Sequence, residues 1–146
     1  MKIIIDSDDC ILVNELSARH FTGNTMRSAA SDEERERFLG LRKRLKFLAN
    51  EYRQKYLNDY NDLEVSVSTG NPIAIGGNSL NRIWSGIYKG STNKQYSAQI
   101  SFVLDPNNPC LNIGFYFGRA SAHNLSREAR LQAEKRLQFL GKSLVE

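Results

Sequence analysis

Four strand-like segments follow one another between residues 60 and 118. In each segment apolar side chains alternate with small or polar ones, which is the twofold period of a half-buried β-strand. The connections at 89–96 and 105–111 are too short for the crossover that parallel strands require. The pattern therefore predicts an antiparallel sheet of at least four strands within residues 62–118.

Helix signals stand on both sides of the predicted sheet. Ser31 followed by Glu34 is a capping-box pattern, and an apolar stripe with helical spacing then continues to about residue 57. A second helix is expected from about 125 to 144. This order predicts an α+β fold, with a long helix before the sheet, a C-terminal helix after it, and the helices packed on one face. The apolar residues of the two helices are Phe38, Leu41, Leu45, Leu48, Tyr52, Leu137, Leu140 and Leu144.

The length of 146 residues fits one domain with a substantial core. Hydrophobic residues make up 40% and charged residues 25% of the chain, which excludes wholesale disorder. We expect a single domain over 1–146, with a compact α+β core over 31–146. Residues 1–30 are expected to form a loosely attached extension, in which the apolar runs at 1–5 and 11–13 are candidate edge strands.

The chain carries no sign of export or of a membrane span. No apolar run approaches the roughly 18 residues that cross a bilayer, and the amino end lacks the pattern of a signal peptide. The two cysteines, Cys10 and Cys110, form no CxxC pair and no disulfide framework. A cytoplasmic protein with reduced thiols is the expectation.

The shortage of acids and histidines disfavours catalysis. Between residues 60 and 118 the only acids are Asp62, Glu64 and Asp105, whereas metal-dependent hydrolases and nucleases need two or three converging carboxylates. The two histidines, His20 and His123, accompany no nucleophile motif and complete no zinc-ligand spacing with the cysteines. We therefore expect no enzymatic activity, no cofactor and no metal site.

Aromatic residues and glycines share the non-aliphatic faces of two predicted strands. Trp84, Gly86 and Tyr88 lie on one such face, and Gly114 and Tyr116 lie on another. Glycine weakens a strand and often marks the close approach of another group. One interpretation is packing under a helix or a loop. The other is a pocket in which a base, or another planar ligand, stacks on Trp84, Tyr88 and Tyr116.

Basic residues are concentrated on the long helix. Between residues 42 and 55 six basic side chains accompany one acid, Glu51, and the net charge of the whole chain is +4. This is either an ordinary solvated helix face or a phosphate-contacting surface, whose affinity would fall steeply with salt. Further basic residues occur around the predicted strands. The candidate phosphate-contacting residues are Arg42, Lys43, Arg44, Lys46, Arg82, Lys89, Lys94 and Arg119.

The succession of segments resembles the McrB-type N-terminal DNA-binding domain of methylation-dependent restriction systems. Residues 60–71 are similar to the opening strand and Gly-Asn turn of that family, and 83–87 to its tryptophan strand. Residues 96–104 and 111–118 are similar to the next two strands, and a closing helix follows. The resemblance covers roughly 40–144. The chain departs from the family pattern in its long loop at 72–81 and in Ile83, which stands where proline usually precedes the tryptophan.

The resemblance implies a non-catalytic recognition module of a bacterial restriction or defence system. Its partner would be double-stranded DNA carrying a methylated base, which is flipped into an aromatic pocket, while a separate AAA+ motor and nuclease subunit would cut. The residues themselves leave two other functions open. One is a protein-interaction or regulatory module, and the other is a small-molecule-binding domain of a defence system.

Overall fold

The structure, a computed structural model, describes residues 5–18, 30–67, 83–90, 98–105, 108–117 and 126–143. Its elements, in chain order, are helix α1 (Ser7–Ala18), helix α2 (Asp32–Tyr56), strands β1 (Leu63–Val67), β2 (Ile83–Lys89), β3 (Ala98–Asp105) and β4 (Asn108–Phe117), and helix α3 (Arg127–Ser143). This arrangement confirms the predicted α+β class, in which a long helix precedes an antiparallel sheet and a C-terminal helix follows it.

The four strands form one antiparallel meander in the order β1-β2-β3-β4. One row across the sheet consists of Val65, Ile87, Ile100 and Phe115, each opposite the next. Directly opposed residues point to the same face of a sheet, so this row and its neighbours make one face aliphatic. We call it the helix face, because α1 and α2 pack on it, and we call the other the aromatic face.

Helix α2 begins and packs as its sequence pattern predicts. The Glu34 N–H donates to Ser31 Oγ at 3.2 Å, and the Ser31 N–H donates to Glu34 Oε2 at 2.8 Å, which completes the capping box. The apolar stripe of the helix lies over β1 and β2, with Phe38, Leu41 and Leu45 fully buried. Burial of such side chains stabilises the fold by about 1.5–3 kcal/mol each.

Residues 7–18 of the amino-terminal segment form a helix, whereas an edge strand at 11–13 and a loosely attached extension were expected there; the other expected edge strand, at 1–5, lies almost wholly outside the described residues. Helix α1 packs on α2, β3 and β4 and buries Leu12, Val13 and Leu16 to 2% exposure or less. Reciprocal bonds start the helix, since the Asp9 N–H donates to Asp6 Oδ1 and the Asp6 N–H donates to Asp9 Oδ2. This helix therefore completes the core over the β3 and β4 side of the sheet.

A partly buried ion pair joins α1 to α2. Arg44 lies 2.5 Å from the carboxylate of Asp9, whose side chain is only 6% exposed. Arg37, two turns before Arg44 on the same side of α2, donates to the backbone carbonyl of Asp8 at 3.4 Å. The position of α1 over the sheet thus depends on two arginines of α2, of which Arg44 belongs to the basic run.

The C-terminal helix α3 presents apolar side chains to solvent. Leu131 is 50% exposed and Phe139 is 71% exposed. The side chains of Leu137 and Leu140, and the whole of Leu144, lie outside the described residues, so their expected packing on the sheet stays a prediction. None of the described helices combines the length and hydropathy that a membrane span requires.

The ion pair generates a stability prediction. Arg44→Met should lower the free energy of unfolding by about 3 kcal/mol, because Asp9 would remain as a buried charge without its partner. Urea denaturation followed by circular dichroism measures the change. Lys43→Met, at the exposed neighbouring position, should stay within about 0.5 kcal/mol of wild type. Adding Asp9→Asn to Arg44→Met should recover most of the lost free energy of unfolding. Equal losses in Arg44→Met and Lys43→Met would contradict the prediction.

Candidate functional site

The register of the sheet assembles the aromatic face from three rows. A central row of small residues lies between two rows that each carry aromatic side chains, so the side chains along the middle of this face are short. We call this central row the trench. The rows are Glu64–Tyr88–Gln99–Tyr116, then Ser66–Gly86–Ser101–Gly114, then Trp84–Val103–Asn112.

At β2 the trench is occupied by the chain itself. A Cβ added at Gly86 would lie 2.9 Å from Gln99 Oε1 and 3.3 Å from Cζ3 of Trp84. Gly86 therefore allows the Trp84 ring and the Gln99 amide to lie close to its backbone. Tyr88 and Gln99 beside it are buried, at 6% and 4% exposure.

The β4 end of the trench is open. A Cβ added at Gly114 would meet no atom within 4 Å, and the glycine is exposed. Tyr116 is 41% exposed two residues along the strand, and the exposed Asn112 lies two residues in the other direction. A planar molecule can therefore approach the sheet at Gly114 with a tyrosine ring on one side and an amide on the other.

Hydroxyl groups line the floor of the trench. Ser101 is buried at 6% exposure between Gly86 and Gly114. The Ser66 Oγ, at the β1 end of the row, is buried and makes no hydrogen bond. A buried hydroxyl without a partner is costly, so the floor favours a neighbouring atom that can donate or accept.

The three aromatic residues share a face but do not form a single stack. Trp84 and Tyr88 are four residues apart on β2, about 13 Å along the strand, and one strand separates Tyr88 from Tyr116, about 10 Å across the sheet. These separations are wider than one base held between two rings. The structure thus places Trp84 beside Gly86 as a wall and leaves Tyr116 as the accessible ring.

The predicted basic rim of this face lies mostly beyond the described residues. Arg82, Lys94 and Arg119 are all outside them. Lys89 is described and exposed, but it stands opposite Leu63 and therefore belongs to the helix face. The one charged side chain that the three rows carry is the exposed Glu64.

The basic run of α2 lies on the opposite side of the sheet from the trench. Lys43 and Lys46 are exposed there, whereas Arg42 is half-buried with its Nε enclosed. Arg44 is engaged by Asp9, and Arg53 donates to the Leu63 carbonyl at 2.8 Å. Much of the run therefore supports the fold, and a ligand in the trench cannot reach Lys43 and Lys46 without wrapping around the sheet.

An apolar pocket on the helix face was not anticipated from the sequence. It has a volume of about 210 Å³ and opens below the end of α2. Helix α1 contacts β3 and β4, but Ile113 and Phe115 of β4 remain exposed, so part of β4 beside this pocket stays uncovered. The lining side chains include Leu57, Tyr60, Leu63, Ile87, Ile100 and Phe115.

No known protein family, curated protein or solved structure matches this chain. The resemblance to the McrB-type domain therefore rests on the short segments quoted above. Among the described residues, no three His, Cys, Asp or Glu side chains are grouped so that they could hold a metal ion.

The contrast between the two trench glycines can be tested directly. Gly86→Ala should destabilise the fold by about 1–2 kcal/mol, because the new methyl displaces the Trp84 ring or the Gln99 amide. Gly114→Ala should be neutral or stabilising by about 0.5 kcal/mol, since its methyl enters open space and alanine restricts the unfolded chain. Urea denaturation measures both.

Tryptophan emission provides an independent measurement, because Trp84 is the single tryptophan of the chain. Its emission maximum should shift in Gly86→Ala and stay constant in Gly114→Ala. Equal effects of the two substitutions on stability and emission would show that Gly86 does not accommodate the ring.

Proposed function

We propose that this chain is a non-catalytic nucleic-acid recognition module that reads a modified base in double-stranded DNA. The base is flipped out of the duplex and lies in the open end of the trench. The observation that carries the proposal is the exposed Tyr116 ring beside Gly114, where a Cβ would meet nothing within 4 Å. A flipped base requires one such flat partner and room for its own thickness.

Polar groups beside the opening support a base in preference to a purely apolar ligand. Asn112 lies opposite Val103 on the same face and carries both a donor and an acceptor. Ser101 lies opposite Gly114 in the floor. A base stacked on Tyr116 would present its hydrogen-bonding edge to these groups, which is how flipped bases are read.

Phosphate contacts are assigned to basic residues that flank the strands of this face in the sequence. Arg82 precedes β2, Lys94 lies between β2 and β3, and Arg119 follows β4. Lys43 and Lys46 take no part, because they lie on the other side of the sheet. Cleavage belongs to a separate AAA+ motor and nuclease, as the resemblance to the McrB-type domain implies, and the chain supplies recognition for a restriction or defence system.

Removal of the exposed ring should weaken binding. Stacking on an aromatic side chain contributes about 1–3 kcal/mol per base, so Tyr116→Ala should raise the Kd for the preferred DNA roughly 5- to 150-fold. Fluorescence anisotropy with labelled duplexes, carrying methylated or unmodified cytosine, measures this at two salt concentrations. Tyr60→Ala is the matched control, since Tyr60 is 67% exposed and contributes to the pocket on the helix face.

The salt dependence separates the two basic surfaces. Ala substitutions at Arg82, Lys94 or Arg119 should each reduce the slope of log K against log salt by about 1. Replacing Lys43 and Lys46 together should leave both slope and Kd within about twofold. Two results would instead favour a protein-interaction or regulatory module. One is a loss of affinity in Tyr60→Ala equal to that in Tyr116→Ala, and the other is a Kd that does not change with salt concentration.

The chain alone should not cleave nucleic acid. Purified protein incubated with Mg²⁺ or Mn²⁺ and modified or unmodified DNA should leave the substrate intact. Cleavage that disappears in Asp62→Asn or Glu64→Gln would overturn this expectation. Asn suits position 62 because Asp62 has a positive φ of 65° in the turn before β1, a conformation that Asn tolerates.

A further inference from the structure

We propose that strand β4 pairs with β4 of a second copy, antiparallel across a twofold axis, so that two sheets join into one of eight strands. This association is independent of the proposed nucleic-acid binding. It rests on the edge of the sheet, on the apolar side chains beside that edge, and on the self-complementary order of residues along the strand.

The two edges of the sheet differ in how they are protected. The β1 edge carries a charge, the exposed Glu64. The β4 edge is ten residues long, from Asn108 to Phe117, and contains no charged residue. Charges and prolines on an edge strand hinder edge-to-edge pairing. β4 has no charge, and its one proline, Pro109, lies near its first residue, away from Gly114.

Large apolar side chains lie exposed along the same strand. Ile113 is 58% and Phe115 is 71% exposed on the helix face, whereas Leu111, nearer to α1, is half-buried against the core. Phe115 also borders the open apolar pocket below the end of α2. An apolar strip at an unprotected edge is a surface that another strand would cover.

A twofold axis at Gly114 pairs the Leu111–Phe117 segment of β4 with the same segment of the second copy. Antiparallel pairing about this residue sets Ile113 opposite Phe115 of the second copy, an aromatic–β-branched pair that favours strand association. On the aromatic face it sets the Asn112 amide opposite the Tyr116 side chain. Gly114 lies on the axis and faces its counterpart in the second copy.

A second copy fits this edge better than an unrelated partner. The strand has no charge with which to select a charged peptide, and each exposed apolar group finds its complement in the same sequence. A twofold interface is isologous, so one contact covers Ile113 and Phe115 of both chains at once. The aromatic faces then continue across the axis, with one Tyr116 in each half.

The oligomeric state tests the association. Light scattering after size exclusion and sedimentation velocity should give twice the chain mass of 16.6 kDa, with dissociation on dilution. Ile113→Lys and Phe115→Lys should each shift the protein to the monomer mass, with unchanged circular dichroism. Leu131→Lys, at a residue 50% exposed on α3, is the matched control and should remain dimeric.

Disulfide trapping tests the register. In a Cys110→Ser background, Gly114→Cys should form a covalent dimer under mild oxidation, and Glu64→Cys, on the other edge, should not. Asn112→Cys and Tyr116→Cys should cross-link when mixed but not alone. Three results would each overturn the proposal. The first is a wild-type protein that is monomeric at every concentration. The others are a Leu131→Lys control that dissociates as Ile113→Lys does, and cross-linking of Glu64→Cys as strong as that of Gly114→Cys.

Discussion

Burial of the helix face beneath α2 is the constraint on which the arrangement of the molecule depends. Phe38, Leu41 and Leu45 enclose β2 so completely that Ile83 is fully buried. A slip of one residue would turn every side chain of the strand to the other face. The Ser85 hydroxyl also fixes this register, because it donates to the Leu45 carbonyl at 2.8 Å and would otherwise be buried without a partner.

The same register turns the aromatic residues away from the helices and then limits what they can do. Trp84 and Gln99 fill the space above Gly86, so a glycine between aromatic residues serves internal packing at one end of the trench. At Gly114 the equivalent space is open. Two glycines in the same row therefore have different physical roles, and only the second gives an external molecule access to the sheet.

The local periods of the sequence predict α2 and the sheet, because their burial patterns are regular over many residues. Helix α1 escapes such reasoning, since its short apolar run at 11–13 is equally typical of a strand and its buried face includes Asp9. That carboxylate is tolerated only because Arg44, 35 positions away, lies against it. The alternation of apolar and polar residues likewise predicts that Trp84 and Tyr116 share a face of the sheet. The distance between the two side chains and the exposure of each depend on the strand register and on the extent of the helices, which alternation does not specify.

Strand β4 connects the two surfaces that the fold leaves uncovered. Its even-numbered residues, among them Gly114 and Tyr116, form the open end of the trench, and its odd-numbered residues, among them Ile113 and Phe115, extend beyond α1. Because one strand carries both sets, any chain that pairs with its edge also borders the trench. Glycine at position 114 keeps the space above the strand open, because a side chain there would occupy the room that a planar ligand needs.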